Sequence, residues 1–330
     1  MSDAWNGSGR KLLIQEVGMR DGLQMEQTFV PTSEKISLIN RLSTTGVVKI
    51  EATAFVSPQA IPALKDAEVV LREIERVNGI VYTCLVPNLR GAERAIDARA
   101  DELNLVMSCS ETHNLSNLRM TRQQSFENLS GVIALAKQAD VPVNVSLSCA
   151  FGCPMEGDVP QEDVSRWMGR FLEQEGVRGV TLCDTTGMAY PSQVSALTAQ
   201  ARSLLGDAEL ALHFHNTRGM GLANVLAAID AGAERIDASL GGLGGCPYAP
   251  GASGNVATEE MVHALQLMGF DTGCDLGRLL ETAALLPGLI GHDIPSQITK
   301  AGPRLALHNP PADFGVWRNR ALARDRGGVN

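Results

Sequence analysis

The stretch Glu209-Leu210-Ala211-Leu212-His213-Phe214 decides the fold that we predict for this chain. It is a short apolar run that ends on polar residues, as expected of a strand buried on both faces of a parallel sheet. Similar runs recur at roughly thirty-residue intervals, about one strand–helix unit of a barrel. With the first run, they make eight predicted strands: Leu12–Val17, Val47–Glu51, Val81–Val86, Glu102–Met107, Val143–Ser148, Gly179–Cys183, Glu209–Phe214 and Arg235–Ser239.

The segments between these runs carry helical patterns. The first begins with a Thr/Ser cap signal at Thr32 and places Ile36, Ile39 and Leu42 on one face. The predicted helices are Thr32–Thr45, Asp66–Val77, Gln123–Gln138, Gln161–Glu175, Pro191–Leu205, Gly219–Ala231 and Ala257–Met268.

Alternating strands and helices indicate an α/β fold, and eight units close naturally into a (β/α)8 TIM barrel. A doubly wound open sheet is the main competitor, but no GxGxxG motif follows the first strand. We expect one or two extra C-terminal helices within Gly273–Ile294. The predicted organisation is a flexible N-terminus over residues 1–10, a catalytic barrel over 11–302, and an Arg-rich, partly disordered tail over 303–330.

Composition excludes several classes of partner. Of the 330 residues, 44% are hydrophobic, and the net charge of −9 comes without a Lys/Arg cluster, so we expect neither nucleic acid nor an anionic membrane as partner. No apolar run approaches the roughly 20 residues of a membrane span, and no signal segment is recognisable. The seven cysteines form no pair of CxxC motifs. They indicate reduced thiols in a cytoplasmic protein.

The sharpest local signal is His213-Phe214-His215. Residues i and i+2 of a strand point to the same face, so both imidazoles should converge at the barrel mouth. Asp21, after the first strand, and Asn255, after the eighth, would add a carboxylate and an amide oxygen. This donor set favours Mg²⁺ or Mn²⁺, with Zn²⁺ as the alternative. The competing interpretation of His213 and His215 is two satisfied polar residues at a strand end.

Other chemistry-bearing residues also follow predicted strands. Arg20 stands beside Asp21, where it would be either a cation that stabilises an enolate or part of a surface ion pair. Glu16, Glu51 and Asp184 lie at further strand ends.

The run from Gly241 to Asn255 is too rich in glycine for regular structure. It would be either a flexible surface loop or a lid over the barrel mouth. Cys246 lies within it, and a thiol with an ordinary pKa of about 8.5 can transfer protons near neutral pH.

These residues fall within motifs that resemble the 3-hydroxy-3-methylglutaryl-CoA (HMG-CoA) lyase family, part of a wider group of metal-dependent lyases and Claisen-condensing enzymes. The resemblance covers nearly all of residues 11–300. It is carried by EVGMRDGLQ at 16–24, IEATAFVSP at 50–58, SCAFGCP at 148–154, DTTG at 184–187, HFHNT at 213–217, and the loop 242–255, which is the most specific.

The resemblance implies a role for each residue. The metal ligands would be Asp21, His213, His215 and Asn255. Arg20 would bind substrate and stabilise its enolate, Cys246 would be the acid/base of the loop, and Glu51 and Asp184 would support catalysis, as would His213. The implied reaction cleaves HMG-CoA to acetoacetate and acetyl-CoA, and the implied assembly is a homodimer or higher oligomer.

The sequence departs from the family pattern at Met19, Ala54, Cys183 and Asn216, and over residues 108–122, which contain His113. These departures leave the acyl group open, so a related acyl-CoA such as citramalyl-CoA or a longer branched homologue is an alternative substrate. A Claisen-condensing enzyme of the isopropylmalate or homocitrate synthase type and a non-catalytic binding barrel are further alternatives. His113 would be either a substrate-contacting group or a solvated loop histidine.

Overall fold

The computed structural model describes residues 5–245 and 254–327. Eight parallel strands form a closed barrel in chain order. The strands are β1 (Leu13–Glu16), β2 (Lys49–Ala54), β3 (Val81–Val86), β4 (Glu102–Ser108), β5 (Val143–Ser148), β6 (Val177–Asp184), β7 (Glu209–Phe214) and β8 (Arg235–Ala238). Pairing of β1 with β8, from Leu13↔Arg235 to Glu16↔Ala238, closes the barrel and excludes the open doubly wound sheet.

Helices alternate with the strands along the chain, so the fold is the predicted (β/α)8 TIM barrel with extra C-terminal helices. The helices are α1 (Thr32–Leu42), α2 (Ala67–Glu73), α3 (Leu89–Asp97), α4 (Glu111–Leu118), α5 (Arg122–Gln138), α6 (Gln161–Leu172), α7 (Pro191–Leu204), α8 (Gly221–Asp230), α9 (Thr258–Leu267), α10 (Leu276–Ala283), α11 (Leu286–Ile290), α12 (Ile298–Ala301) and α13 (Phe314–Gly327).

Helix α3 is absent from the sequence prediction because its buried face is made of small residues. Gly91, Ala92 and Ala95 pack inward where a periodic row of Leu or Ile would have been recognised. A Cβ on Gly91 would lie 2.7 Å from the carbonyl oxygen of Phe55, so this close packing requires glycine. The helix is capped by Asn88, whose Oδ1 accepts a hydrogen bond from the Gly91 amide at 3.0 Å.

The start of α1 differs from the prediction. Pro31 is the N-cap, and no side chain caps the helix. The hydroxyl of Thr32 instead donates to Oδ2 of Asp66 at 2.8 Å, which links the starts of α1 and α2.

Helix α2 ends at Glu73 rather than Val77, because the following backbone groups bond elsewhere. The Glu75 amide donates to Oδ1 of Asn40 at 2.9 Å, and the Val77 amide donates to the Tyr82 hydroxyl at 3.0 Å.

The residues of the predicted flexible N-terminus that lie nearest the barrel are bonded to it. The amides of Gly7 and Gly9 donate to the carbonyls of Met268 and Gly269 at 2.8 Å, and the Arg10 guanidinium donates to two carbonyls near α8. These bonds tie Gly7, Gly9 and Arg10 to the rest of the barrel unit.

The chain divides into two compact units, one up to Thr299 and one from Lys300. The second unit contains α13. No helix of the described residues is both long enough and apolar enough to cross a membrane. The six cysteines that the structure describes form no disulfide with one another and are all buried.

Candidate metal centre

A cavity of about 820 Å³ lies at the carboxyl ends of the barrel strands. This is the end of a (β/α)8 barrel at which active sites are built. Its wall includes polar residues from β4, β5, β7 and β8, among them Asn104, Ser146, His213 and Asp237.

Asp21, His213 and His215 converge on one point in this wall, and all three are buried. Oδ2 of Asp21 lies 3.8 Å from Nε2 of His213 and 3.6 Å from Nε2 of His215. Asp21 is carried by a π-helical turn, Gly18–Gly22, directly after β1, and the histidines share one face at the end of β7. A carboxylate oxygen and two imidazole nitrogens therefore face a common centre, as the ligands of one ion would.

Asp237 orients the first histidine. The register pairs His213 with Asp237 on the neighbouring strand, and Nδ1 of His213 lies 3.4 Å from Oδ2 of Asp237. Burial alone would lower the pKa of His213, but the carboxylates of Asp237 and Asp21 raise it. A carboxylate behind Nδ1 favours a proton on that nitrogen and leaves Nε2 free to bind a metal.

Asn255, the predicted fourth ligand, lies beside Asp21 with its amide nitrogen toward it. Nδ2 donates to Oδ2 of Asp21 at 2.8 Å and to the Leu243 carbonyl at 2.9 Å. Its Oδ1 is buried and has no hydrogen-bond partner among the described residues. The ligand role requires the other orientation of the amide, with the oxygen toward Asp21.

Arg20 is clamped between two carboxylates. Its Nη1 donates to Oδ1 of Asp21 and its Nε to Oε2 of Glu51, both at 2.6 Å. The Arg20 side chain is only 12% exposed, so the pair with Asp21 is not a surface ion pair. Burial opposes both charges, yet the Arg20 guanidinium and the two imidazoles hold the pKa of Asp21 well below its usual range, and Glu51 and Asp21 raise the pKa of Arg20.

Two predicted supporting residues lie outside the lining of the large cavity. Glu51 is buried beneath Arg20, and burial raises its pKa despite Arg20 and Asn104. Asp184 accepts hydrogen bonds from the amides of Met188 and Ala189, at 2.7 and 3.1 Å, and burial raises its pKa. Glu51 therefore contacts the site through its ion pair with Arg20, and Asp184 stabilises the turn after β6.

The loop after β8 is only partly described, and Cys246 lies outside the described residues. Residues Leu240–Gly242 form a short turn in which Gly241 and Gly242 both have a φ of 70°, a left-handed conformation that does not continue a regular helix. Gly241, Gly242 and Leu243 are buried, so this part is not an exposed loop.

Gly244, with φ of 120°, shows why glycine is needed near this site. A Cβ there would lie 2.4 Å from Nδ2 of Asn255.

Glu16 connects the segments around the metal centre. Its carboxylate accepts hydrogen bonds from the amides of Gly18 and Leu240 and from the Thr258 hydroxyl, at 2.7, 2.9 and 2.6 Å. Complete burial raises its pKa to about 7 against these bonds. Glu16 thus holds the turn that carries Asp21 against the loop after β8.

His113 is a buried residue of α4 that lines the cavity, so the interpretation as a solvated loop histidine is wrong. Burial lowers its pKa, partly offset by Glu156.

Comparison with known proteins assigns the family. The family model described as HMGL-like matches residues 11–286. The chain belongs to the HMGL-like family. It is 43% identical over 288 residues to the hydroxymethylglutaryl-CoA lyase YngG of Bacillus subtilis, covering 87% of this chain and 96% of that protein. The mitochondrial hydroxymethylglutaryl-CoA lyase of Gallus gallus is 38% identical over 296 residues, covering 90% and 99%.

A solved structure of an HMG-CoA lyase from Acinetobacter baumannii, in complex with coenzyme A and 3-methylmalate, superposes with a TM-score of 0.88. It is 50% identical, and the match covers 91% of this chain and 98% of that one.

The residues of this HMGL-like chain fit a divalent metal. The donor set combines one carboxylate and two imidazoles, without thiolate among the described residues, and the Asn255 amide adds an oxygen in its other orientation. Asp21 is held ionised, and Asp237 supports the tautomer of His213 that a metal requires.

Sequence reasoning missed three residues of the site. Asp237 and Asn104 lie within strands that read as apolar, and their polar character inside a buried run was the available signal. Gln24 was not predicted as a site residue, although it ends the motif at 16–24 that contains Asp21. Its Nε2 donates to Oδ1 of Asp21 at 2.9 Å.

Proposed function

We propose that this chain is a divalent-metal-dependent carbon–carbon lyase that cleaves HMG-CoA to acetoacetate and acetyl-CoA. The observation that carries the proposal is the buried group Asp21, His213 and His215 beside Arg20, in the wall of a cavity of about 820 Å³. Relatives that match along most of their length are named HMG-CoA lyases, which supports the same reaction.

The reaction requires the loss of one proton and the gain of another. A base removes the proton of the C3 hydroxyl, the C3–O bond becomes a carbonyl, and the C2–C3 bond breaks. Its electron pair moves to the thioester as an enolate, which gains a proton at C2 to give acetyl-CoA. The site must therefore hold the hydroxyl, stabilise negative charge and deliver a proton.

The proposed metal ligands are Asp21, His213, His215 and Asn255. An ion there would supply Lewis-acid stabilisation of negative charge on substrate oxygens. The mixed set of two oxygen and two nitrogen donors, without thiolate, favours Mg²⁺ or Mn²⁺, and the two imidazoles leave Zn²⁺ as the alternative.

Arg20 is proposed to contact the substrate and stabilise the enolate. Its described hydrogen bonds use Nε and Nη1, and the side chain lines the cavity, so Nη2 is the donor available to a substrate oxygen. Because Glu51 and Asp21 hold the guanidinium in place, its charge is preorganised rather than recruited during the reaction.

Cys246 remains the proposed acid that protonates the enolate, on sequence grounds. Glu51 and His213 are proposed to act by positioning Arg20 and the metal, and Asp184 by supporting the turn after β6.

A related acyl-CoA is the second candidate substrate. The relative from Acinetobacter baumannii is described with coenzyme A and 3-methylmalate, a compound that differs from the HMG-CoA products. Polar residues in the cavity wall, including Asn117 and Ser148, also suit a substrate with an additional polar substituent.

A substrate panel tests the proposal. The purified protein with Mg²⁺ or Mn²⁺ is offered HMG-CoA, citramalyl-CoA and longer branched 3-hydroxyacyl-CoA esters, and acetyl-CoA release is measured. Release of acetoacetate and acetyl-CoA in equal amounts from HMG-CoA is expected. In parallel, acetyl-CoA is offered with 2-oxo acids. Their condensation, without cleavage of any ester, would replace the lyase by a Claisen-condensing enzyme, and the absence of both reactions would favour a binding barrel.

Two variants separate metal binding from proton transfer. Asp21→Ala should weaken Mn²⁺ binding by about 100-fold or more, since it removes a charged ligand. Cys246→Ser should lower kcat by about 100-fold while leaving Mn²⁺ affinity unchanged, because it removes only the acid. Titration calorimetry with Mn²⁺ and steady-state kinetics distinguish them, and equal loss of both properties in Cys246→Ser would make the thiol structural.

The proposed setting is a cytoplasmic homodimer or higher oligomer. Some relatives are named as mitochondrial and others as cytoplasmic. The proposal of a cytoplasmic location is therefore based on the cysteine pattern of the sequence alone. Sedimentation equilibrium tests the oligomer.

A further inference from the structure

A row of amides and hydroxyls crosses the barrel interior beneath Arg20. It consists of Asn104 on β4, Asn144 and Ser146 on β5, and Thr181 on β6, all of them buried. Strand register creates the row, since Asn104 pairs with Asn144 and Ser146 pairs with Thr181. Polar groups are costly to bury in a barrel core, so such a row calls for an explanation.

Asn104 connects this row to Glu51. Its Nδ2 donates to Oε1 of Glu51 at 2.7 Å, while its Oδ1 accepts from Nδ2 of Asn144 at 2.9 Å and from the Ser146 hydroxyl at 2.8 Å. Nδ2 of Asn144 also donates to the Thr181 hydroxyl at 3.0 Å. The two donors on Oδ1 fix which end of the Asn104 amide faces Glu51, because only the nitrogen can then point to the carboxylate.

Glu51 in turn divides its two oxygens. Oε1 accepts from Asn104, and Oε2 accepts from Nε of Arg20 at 2.6 Å. The chain of contacts runs from a rigid strand pair, through one amide and one carboxylate, to the guanidinium in the cavity wall.

We propose that Asn104 is a positioning residue that fixes Arg20 through Glu51. The inference rests on the proposed function only in giving Arg20 a catalytic task. A buried carboxylate that loses one of two partners can rotate toward the remaining donor, and the guanidinium bonded to it then shifts as well. Burial raises the pKa of Glu51 while the Asn104 amide lowers it, in agreement with a bond that stabilises the ionised carboxylate.

The variant Asn104→Leu tests this, since leucine keeps the approximate size and removes the amide. We expect kcat to fall by about ten- to 100-fold, the range expected when a catalytic group is displaced by about 1 Å. The KM for the acyl-CoA and the affinity for Mn²⁺ should change by a smaller factor than kcat, because the metal ligands and the cavity wall other than Asn104 and Arg20 keep their side chains.

A double-mutant cycle with Glu51→Gln isolates the route. If Asn104 acts through Glu51, the double variant should have the kcat of Glu51→Gln alone. Additive losses would overturn the proposal. Ser146→Ala, which removes one donor to Asn104 and leaves its amide in place, should show a smaller loss of kcat and serves if Asn104→Leu fails to fold. An unchanged kcat in Ser146→Ala would then count against the role.

Asn224→Ala is the matched control for removing a buried amide. Asn224 lies on α8, where its Nδ2 donates to the Ala189 carbonyl at 3.0 Å, away from the cavity wall. It should lower thermal stability without changing kcat. An equal fall in kcat for Asn224→Ala and Asn104→Leu would make the effect one of general stability.

Crystal structures of the parent chain and of Asn104→Leu test the geometry independently of any activity. The expected result is a rotated Glu51 carboxylate and an Arg20 guanidinium displaced with it from its position in the parent chain, with their contact, 2.6 Å in the parent, retained. An Arg20 guanidinium in the same position in both structures would overturn the inference, even if the parent chain proves to be a lyase. If Arg20 is displaced in Asn104→Leu but the parent chain has no lyase activity, the positioning role is supported and only the proposed function is contradicted.

Discussion

Replacing Asp237 by asparagine tests whether the carboxylate on β8 sets the tautomer of His213. The two side chains are paired by strand register, with Nδ1 of His213 3.4 Å from Oδ2 of Asp237. A proton on Nδ1 leaves the lone pair of Nε2 directed to the centre shared with Asp21. Asparagine keeps the shape but is neutral, and its amide can offer either an acceptor or a donor to Nδ1.

The expected loss follows from this ambiguity. When the amide donates, the imidazole proton moves to Nε2, and the ring no longer serves as a ligand. Partners of metal-ligating histidines are typically worth 10- to 100-fold in metal affinity, or about 1.4 to 2.7 kcal/mol. We expect Asp237→Asn to weaken Mn²⁺ binding within this range, with a smaller fall in kcat once the metal is saturating.

Titration calorimetry with Mn²⁺ at a fixed pH measures the effect. Asp207→Asn is the control, because Asp207 is an exposed aspartate on the segment before β7, at the opposite end of the barrel. It removes the same charge from the chain without touching His213. Equal Mn²⁺ affinity in the parent chain and in Asp237→Asn would refute the tautomer argument, and an equal loss in both variants would make the effect one of net charge.

Two further predictions concern the segments that hold the metal centre. The pKa of Glu16 is raised from 4.5 to about 7, so between these pH values the folded chain keeps a proton that the unfolded chain releases. The contribution of Glu16 to the free energy of unfolding is therefore complete below pH 4.5 and is lost as pH rises through 7. Urea unfolding should therefore show the parent chain losing about 3 kcal/mol relative to Glu16→Gln across this window, and a constant difference would contradict it. Gly244→Ala places a Cβ 2.4 Å from Nδ2 of Asn255 at a φ of 120°. The substitution should destabilise the chain by about 1–3 kcal/mol and weaken Mn²⁺ binding. An unchanged affinity for Mn²⁺ would show that Asn255 is not a metal ligand.

The strands could be predicted because buried parallel strands are nearly continuous apolar runs. The predicted runs match β3, β5 and β7 at both ends, and the other five differ from the strands by at most three residues at either end. The helices were harder where the core contact is made by small residues, as in α3, or where side chains of other elements compete for backbone amides, as at the end of α2. Such competition is tertiary and has no local signature.

The meeting of Asp21, His213 and His215 could be predicted from the sequence, but the hydrogen bonds that connect them to their neighbours could not. Period-two geometry places His213 and His215 on one face, and barrel closure brings the turn of Asp21 beside them. Register, which the sequence does not display, decides that His213 faces Asp237 and that Asn104 reaches Glu51. The orientation of the Asn255 amide likewise depends on its hydrogen bond to the Leu243 carbonyl, which only the folded loop supplies.

Barrel closure and the metal centre depend on the same contacts. Asp21 follows β1, the histidines end β7, and Asn255 follows β8, so the four proposed ligands span the place where the first and last strands meet. Glu16 supports this junction from below, since one buried carboxylate joins the turn after β1 to the loop after β8. An ion bound there would connect the two ends of the barrel, and its binding free energy would stabilise the closed form. The site is therefore part of the closure of the fold, in addition to being held by it.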